Sequence, residues 1–196
     1  STNMALTTYT AGEVLTAASL NDNLAYAVTV PAAVPGGLVF ISATTIGTTV
    51  SSVEVTGAFS ATYDNYQIMV SGGAASATGT ILLQLGATTT GYYTGSSRTI
   101  YNTGVGQSLA TNNGSSFTYA GSHSSNSINS TIQLLGPQLA TRTTFSSQSG
   151  STQNNEVSQF GAGFLDNATQ YTAFTLLPTS GTFTGGTIRV YGFANS

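Results

Sequence analysis

The segment with the clearest fold signal reads Thr187-Ile188-Arg189-Val190-Tyr191-Gly192-Phe193. Its alternation puts Ile188 and Val190 on one side of an extended chain, and Arg189 with Thr187 and Tyr191 on the other. A period of two is typical of a β-strand with one buried face and one exposed face. We therefore expect Arg189 to point to solvent or across a subunit interface.

Short β-branched and aromatic runs recur from residue 38 onward, between clusters of Gly, Ser, Asn and Thr. The predicted strands are 38–46, 50–55, 66–71, 80–85, 98–102, 116–120, 130–135, 142–147, 157–164, 171–177 and 187–193. Their regular spacing predicts an all-β fold, either an antiparallel β-sandwich or a jelly roll. The polar stretches 104–115 and 121–130 are expected to be exposed loops, and the glycine pairs at 36, 72 and 185 to mark bends.

The first part of the chain follows a different pattern. Leu20, Leu24 and Val28 recur every four residues, which predicts one short helix with these side chains on one face. A helix of about three turns is too short to be stable alone in water, so this face needs a partner surface. The sequence thus divides into residues 1–35, an attachment or oligomerisation segment with a Pro-rich linker, and residues 36–196, the β-sandwich domain.

The chain is almost free of charge, with three Arg, six acidic residues and no Lys among 196 residues. An ordinary soluble domain has about 25% charged residues. So few cations cannot neutralise a run of phosphates or coat an anionic membrane, which argues against nucleic-acid and membrane-surface partners. No apolar run approaches the ~18 residues of a membrane span, so no membrane insertion is expected. The absence of Cys excludes disulfides and thiolate metal sites.

Several segments resemble virion proteins of tailed bacteriophages. The segment Thr10-Ala11-Gly12-Glu13-Val14-Leu15-Thr16-Ala17-Ala18-Ser19-Leu20-Asn21-Asp22-Asn23-Leu24 is similar to one common near the start of tail-fibre and related virion proteins. Four others are similar to the β domains that end phage fibre or appendage proteins: Ile46-Gly47-Thr48-Thr49-Val50-Ser51-Ser52-Val53, Tyr63-Asp64-Asn65-Tyr66, Leu83-Gln84-Leu85-Gly86 and Gly185-Gly186-Thr187-Ile188-Arg189-Val190-Tyr191-Gly192.

This resemblance implies a homotrimeric virion appendage, made in the host cytoplasm and located on the phage tail. Residues 1–35 would bind another virion protein, and residues 36–196 would be exposed as a tail fibre or adhesin that takes part in host-surface attachment. A capsid decoration protein, such as a head fibre or cement protein, uses the same parts and is the first alternative. A polysaccharide depolymerase is the second, and it requires a cleft with paired carboxylates. The low charge agrees with self-assembly, since identical subunits then repel each other weakly.

The sequence contains no pattern typical of catalysis. His123 is the only imidazole, and we expect it to be a solvated loop residue because no Gly-x-Ser-x-Gly elbow marks a nucleophile. Asp64 and Asp166 are each followed by Asn and are interpreted as turn residues. No series of acidic residues has the spacing of a Ca²⁺ loop. We therefore expect no catalytic residue, no metal and no cofactor.

A surface rich in Tyr, Asn, Gln, Ser and Thr suits neutral sugars, because flat apolar rings then lie beside neutral donors and acceptors. Tyr92, Tyr93, Tyr101 and Tyr119 lie at or near the ends of predicted loops. They form the predicted surface for a host glycan or receptor. The alternative interpretation is that they are ordinary strand or subunit-interface aromatics.

Overall fold

The computed structural model describes residues 37–151 and 157–195, and every regular element in these two ranges is a β-strand. In chain order the strands are β1 (Leu38–Thr45), β2 (Val53–Val55), β3 (Asn65–Ser71), β4 (Ala74–Ala75), β5 (Gly79–Leu85), β6 (Tyr92–Ile100), β7 (Gly106–Gly114), β8 (Phe117–His123), β9 (Ile128–Leu135), β10 (Thr144–Gly150), β11 (Val157–Leu165), β12 (Phe174–Pro178), β13 (Phe183–Thr184) and β14 (Thr187–Phe193). The all-β prediction is confirmed. The predicted helix with Leu20, Leu24 and Val28 lies outside the described residues.

Twelve of these strands form one antiparallel, hydrogen-bonded sheet. Eight of them, in the order β1-β14-β3-β9-β10-β11-β6-β7, make up what we call the large sheet. The remaining strands form a branch in the order β2-β12-β5-β8. The branch joins the large sheet at β9, because Ile128 and Asn129 pair with β8 whereas Thr131–Leu135 pair with β10. Strands β4 and β13 form a separate two-stranded sheet.

The apolar side of the branch packs against the large sheet. Phe117 of β8 stacks on Phe145 of β10 with 4.6 Å between ring centroids. Phe59 contacts both Tyr66 of β3 and Phe174 of β12, at 4.8 and 5.6 Å between centroids. All five rings are buried, so the core lies between the two parts of the sheet. This arrangement is consistent with a β-sandwich.

The alternation predicted for residues 187–193 is confirmed. Ile188 and Val190 are buried, whereas Arg189 and Tyr191 lie on the opposite side of β14 and are partly exposed. Ile188 pairs with Val70 of the neighbouring strand β3, so apolar side chains meet on the buried face.

The two predicted exposed loops were wrong, because both contain strands. Residues 104–115 include β7, which lies at the edge of the large sheet and pairs only with β6. An edge strand needs few large side chains, so its Gly, Ser and Asn content conceals it in the sequence. Residues 121–130 include the end of β8 and the start of β9. Small residues are required there, since a Cβ at Gly121 would lie 2.7 Å from the side chain of Ile81.

The glycine pairs at 72 and 185 mark bends, as predicted. Gly72 and Gly73 follow β3 with φ angles of 75° and 72°, and Gly185 and Gly186 precede β14 with φ angles of 69° and 95°. A Cβ at Gly73 would lie 2.1 Å from the carbonyl oxygen of Gly185. The two bends therefore pack backbone against backbone, where only glycine fits.

Candidate functional site

The large sheet buries one side, and we call its other side the outer face. Successive residues of a strand point to opposite sides, so the outer face consists of the residues that alternate with buried ones. Its large side chains are Leu38, Phe40, Met69, Tyr93, Leu135, Phe160, Phe164 and Tyr191. Five of these are among the exposed large apolar side chains of the described residues: Leu38, Phe40, Met69, Leu135 and Phe160. A large exposed apolar surface of this kind is typical of an interaction site.

Aromatic contacts occur at both ends of the outer face. At one end Phe40 of β1 meets Tyr191 of β14 edge-on, with 5.7 Å between ring centroids. At the other end Tyr93 of β6 and Phe164 of β11 stack with 4.9 Å between centroids and an interplanar angle of 8°. The guanidinium carbon of Arg142 lies 5.7 Å from the Phe164 ring centroid. These contacts hold the rings in fixed orientations.

A shallow depression of about 270 Å³ lies between the two ends. Its walls are neutral side chains of β9 and β10, among them Gln133 and Gln148, together with Phe160 of β11. Phe160 is 56% exposed, so its ring projects beside the depression. A ring that projects next to a depression gives this surface an uneven shape that a partner can complement.

The outer face carries almost no charge. Arg189 is its single charged residue within the described ranges, and its Nη1 donates a hydrogen bond to Ser71 Oγ at 3.3 Å. At the margin, Arg142 Nη2 lies 2.6 Å from Asp166 Oδ1, with both side chains largely exposed. An exposed ion pair contributes only about 0–1 kcal/mol. The face therefore presents aromatic, aliphatic, amide and hydroxyl groups to a partner.

Strand β11 reverses the usual pattern, because it buries a polar side chain and exposes large apolar ones. Gln159 is 1% exposed, and its Nε2 donates to the carbonyl oxygen of Tyr119 at 3.3 Å. Gly161 is also buried, whereas Phe160 and Phe164 occupy the outer face. Neither phenylalanine was predicted from the sequence as a surface residue, and large apolar side chains usually lie in the core. The alternation itself was visible in the sequence, but it does not say which side is buried.

Tyr92 does not belong to the exposed surface predicted for it. Its ring is fully buried and meets Phe117 edge-on, with 4.9 Å between centroids. Its hydroxyl accepts a hydrogen bond from Leu85 N at 2.8 Å and donates one to Thr88 O at 3.1 Å. Burial raises the pKa of Tyr92 to about 12, because the phenolate loses its hydration. Tyr92 is therefore a core residue.

The other three predicted tyrosines lie in different places. Tyr93 is half-buried on the outer face, and Tyr101 is exposed in the turn between β6 and β7. Tyr119 lies in β8 with a positive φ of 66°. Its carbonyl oxygen accepts hydrogen bonds from Ser147 Oγ and Gln159 Nε2, which fix this strained position against the large sheet. The four tyrosines thus do not form one surface.

The prediction for His123 was wrong, because the ring is 1% exposed. Its Nδ1 lies 2.8 Å from the carbonyl oxygen of Ala77, and it contacts Phe183 edge-on at 5.6 Å between centroids. A turn after β11 is confirmed, since Asn167 Oδ1 accepts a hydrogen bond from Thr169 N at 3.0 Å. Residues 37–151 and 157–195 contain no cluster of three or more His, Cys, Asp or Glu.

In the part of the chain that the structure describes, no helix is long and apolar enough to cross a bilayer. No protein-family model matches the chain, and no curated protein matches it.

Proposed function

We propose that this chain is a structural protein of a tailed-phage virion, a tail fibre or adhesin that takes part in host-surface attachment. We further propose that it assembles as a homotrimer through the outer face. The phage assignment rests on the segments that resemble fibre proteins. The assembly proposal rests on the outer face.

The inversion on β11 is the observation that carries the assembly proposal. A strand that exposes Phe160 and buries Gln159 loses apolar burial in the isolated subunit. Local sequence and global fold normally agree, and exceptions concentrate where a surface has a function. A second subunit covering Phe160 removes the conflict, because the phenylalanine then becomes buried in the assembly.

The size of the outer face supports the same proposal. Eight strands spaced about 4.8 Å apart, each about eight residues long at about 3.3 Å per residue, span roughly 900 Å². Specific interfaces bury about 800 Å² on each partner. The described residues contain three Arg and three acidic residues, so two copies repel each other weakly. A second copy of this chain is therefore a suitable occupant of the face.

The proposal also includes the two-layer arrangement of the β domain and the role of the N-terminal segment. The branch and the large sheet form the two layers of a β-sandwich or jelly roll, which is the exposed part of the appendage. Residues 1–35 form the attachment segment, and the helix face of Leu20, Leu24 and Val28 binds another virion protein. The threefold state rests on the fibre resemblance. A cyclic trimer is also a closed assembly, in which no subunit interface is left uncovered.

The experiment that tests the virion assignment is electron microscopy of phage particles with gold-labelled antibody against residues 36–196. We expect label on the tail. Label spread over the head would instead assign the chain to capsid decoration, and unlabelled particles would refute a virion role. Release of reducing sugar from host polysaccharide by the purified protein would favour a depolymerase.

A further inference from the structure

A second concave surface lies on the inner side of β6, away from the outer face. It has a volume of about 220 Å³, and its walls come from the ends of five strands: β5, β6, β7, β8 and, through Val157, β11. The side chains that line it include Thr78, Thr80, Arg98, Ile100, Gln107 and Ser122. Small-molecule sites usually measure about 300–1,000 Å³, so this one fits a single small unit.

Among the residues that the structure describes, Arg98 is the only charged one in these walls. Its Nε donates a hydrogen bond to Gln107 Oε1 at 2.7 Å, which fixes the plane of the guanidinium. Within the described residues the one ion pair joins Arg142 to Asp166, so no described carboxylate neutralises Arg98. Because Nε is already hydrogen-bonded, the two Nη groups remain as donors. Together they can donate two parallel hydrogen bonds to the two oxygens of a carboxylate.

The remaining walls indicate what carries the carboxylate. Thr78, Thr80 and Ser122 bring neutral polar side chains, and Ser122 Oγ is held 2.9 Å from Ser149 Oγ. Ile100 contributes an apolar side chain. A ligand that satisfies all three kinds of wall has hydroxyl groups, a compact carbon ring and one carboxylate. An inorganic anion lacks the apolar part.

The geometry points to a binding site for an acidic monosaccharide unit, with its carboxylate on Arg98 and its hydroxyls on the neutral walls. Gln107 is a positioning residue, because it acts through Arg98. This site is separate from the proposed assembly surface, since Arg98 lies on the opposite side of β6 from Tyr93. Binding at one site can therefore fail while the other proposal holds.

The test is titration of the full chain with D-glucuronate, followed by calorimetry and saturation-transfer NMR. D-glucose serves as the neutral probe and inorganic phosphate as the anion probe. We expect glucuronate to bind and glucose to bind at least about tenfold more weakly, the usual loss when a charged hydrogen-bond partner is removed. Phosphate binding as tight as glucuronate would overturn the sugar-acid assignment, and absence of glucuronate binding would overturn the site.

Two variants locate the site. Arg98→Gln should weaken glucuronate binding at least about tenfold, whereas Arg189→Gln, which removes an Arg from the outer face, should leave it unchanged. Unchanged binding by a folded Arg98→Gln protein would overturn the proposal. If that variant does not fold, Arg98→Lys keeps the charge and loses the fork. We expect weaker glucuronate binding by Arg98→Lys, and unchanged binding would again contradict the assignment.

Discussion

Replacing Phe160 with Gln tests whether the outer face holds subunits together. A phenylalanine side chain buries about 150–250 Å² when fully covered. Because Phe160 is 56% exposed, roughly 110 Å² remains for a partner to cover. At about 25 cal/mol per Å², this area contributes about 2.8 kcal/mol, or roughly a 100-fold change in the dissociation constant of each subunit contact.

The measurement is sedimentation equilibrium over a wide range of protein concentration. The wild-type chain of 19.9 kDa should sediment as a trimer of about 60 kDa, three times the chain mass. Phe160→Gln should dissociate at concentrations at which the wild type stays assembled, while the subunit keeps a cooperative melting transition that shows it is folded.

The matched control is Val105→Gln, since Val105 is 50% exposed in the turn between β6 and β7, outside the outer face. It should assemble like the wild type. Equal dissociation of Phe160→Gln and Val105→Gln would refute the assignment of the outer face, and a monomeric wild type would refute the trimer.

Three further predictions concern stability. Tyr92→Phe should lower the free energy of unfolding in urea by about 1–3 kcal/mol, because Leu85 N loses its buried acceptor, whereas Tyr93→Phe should change it little. Alkali should remove the contribution of Tyr92: its folded pKa of about 12 lies above its unfolded value near 10, so this stability is complete below pH 10 and is lost as the pH rises through 12. A pH series of melting temperatures that falls equally in wild type and Tyr92→Phe would contradict this. Gly73→Ala should lower the free energy of unfolding by more than about 1 kcal/mol, because φ is positive there and a Cβ would lie 2.1 Å from the Gly185 carbonyl oxygen. Gly95→Ala should not lower it, since a Cβ at Gly95 would have nothing within 4 Å.

Strand positions were predictable where alternation coincides with large apolar residues. Residues 187–193 were predicted to the residue, and the strand at 66–71 differs from the observed β3 by one residue. Residues 106–114 were missed because an edge strand lacks the apolar side that defines a strand in sequence. The local sequence pattern therefore identifies strands with one side facing the core, and it overlooks strands at the edge of the sheet.

The candidate surface was harder to predict than the fold. Tyr92 and Tyr93 are adjacent and chemically identical, yet one is fully buried and the other lies on the outer face. His123 shows the same difficulty, because its polar neighbours suggest a loop while the packing of β8 buries it. Burial of a given side chain depends on the partner strand, and that partner is distant in sequence.

The position of β14 between β1 and β3 has a consequence for biosynthesis. Arg189 of β14 and Ser71 of β3 are neighbours in space although they lie 118 positions apart in the chain. During translation β3 must therefore wait, with one edge unpaired, until β14 emerges from the ribosome. Many chains on one messenger would expose these edges at the same time, and the strands carry almost no charge to keep them apart. We therefore expect slow completion of the sheet, rather than weak final stability, to limit the yield of soluble protein.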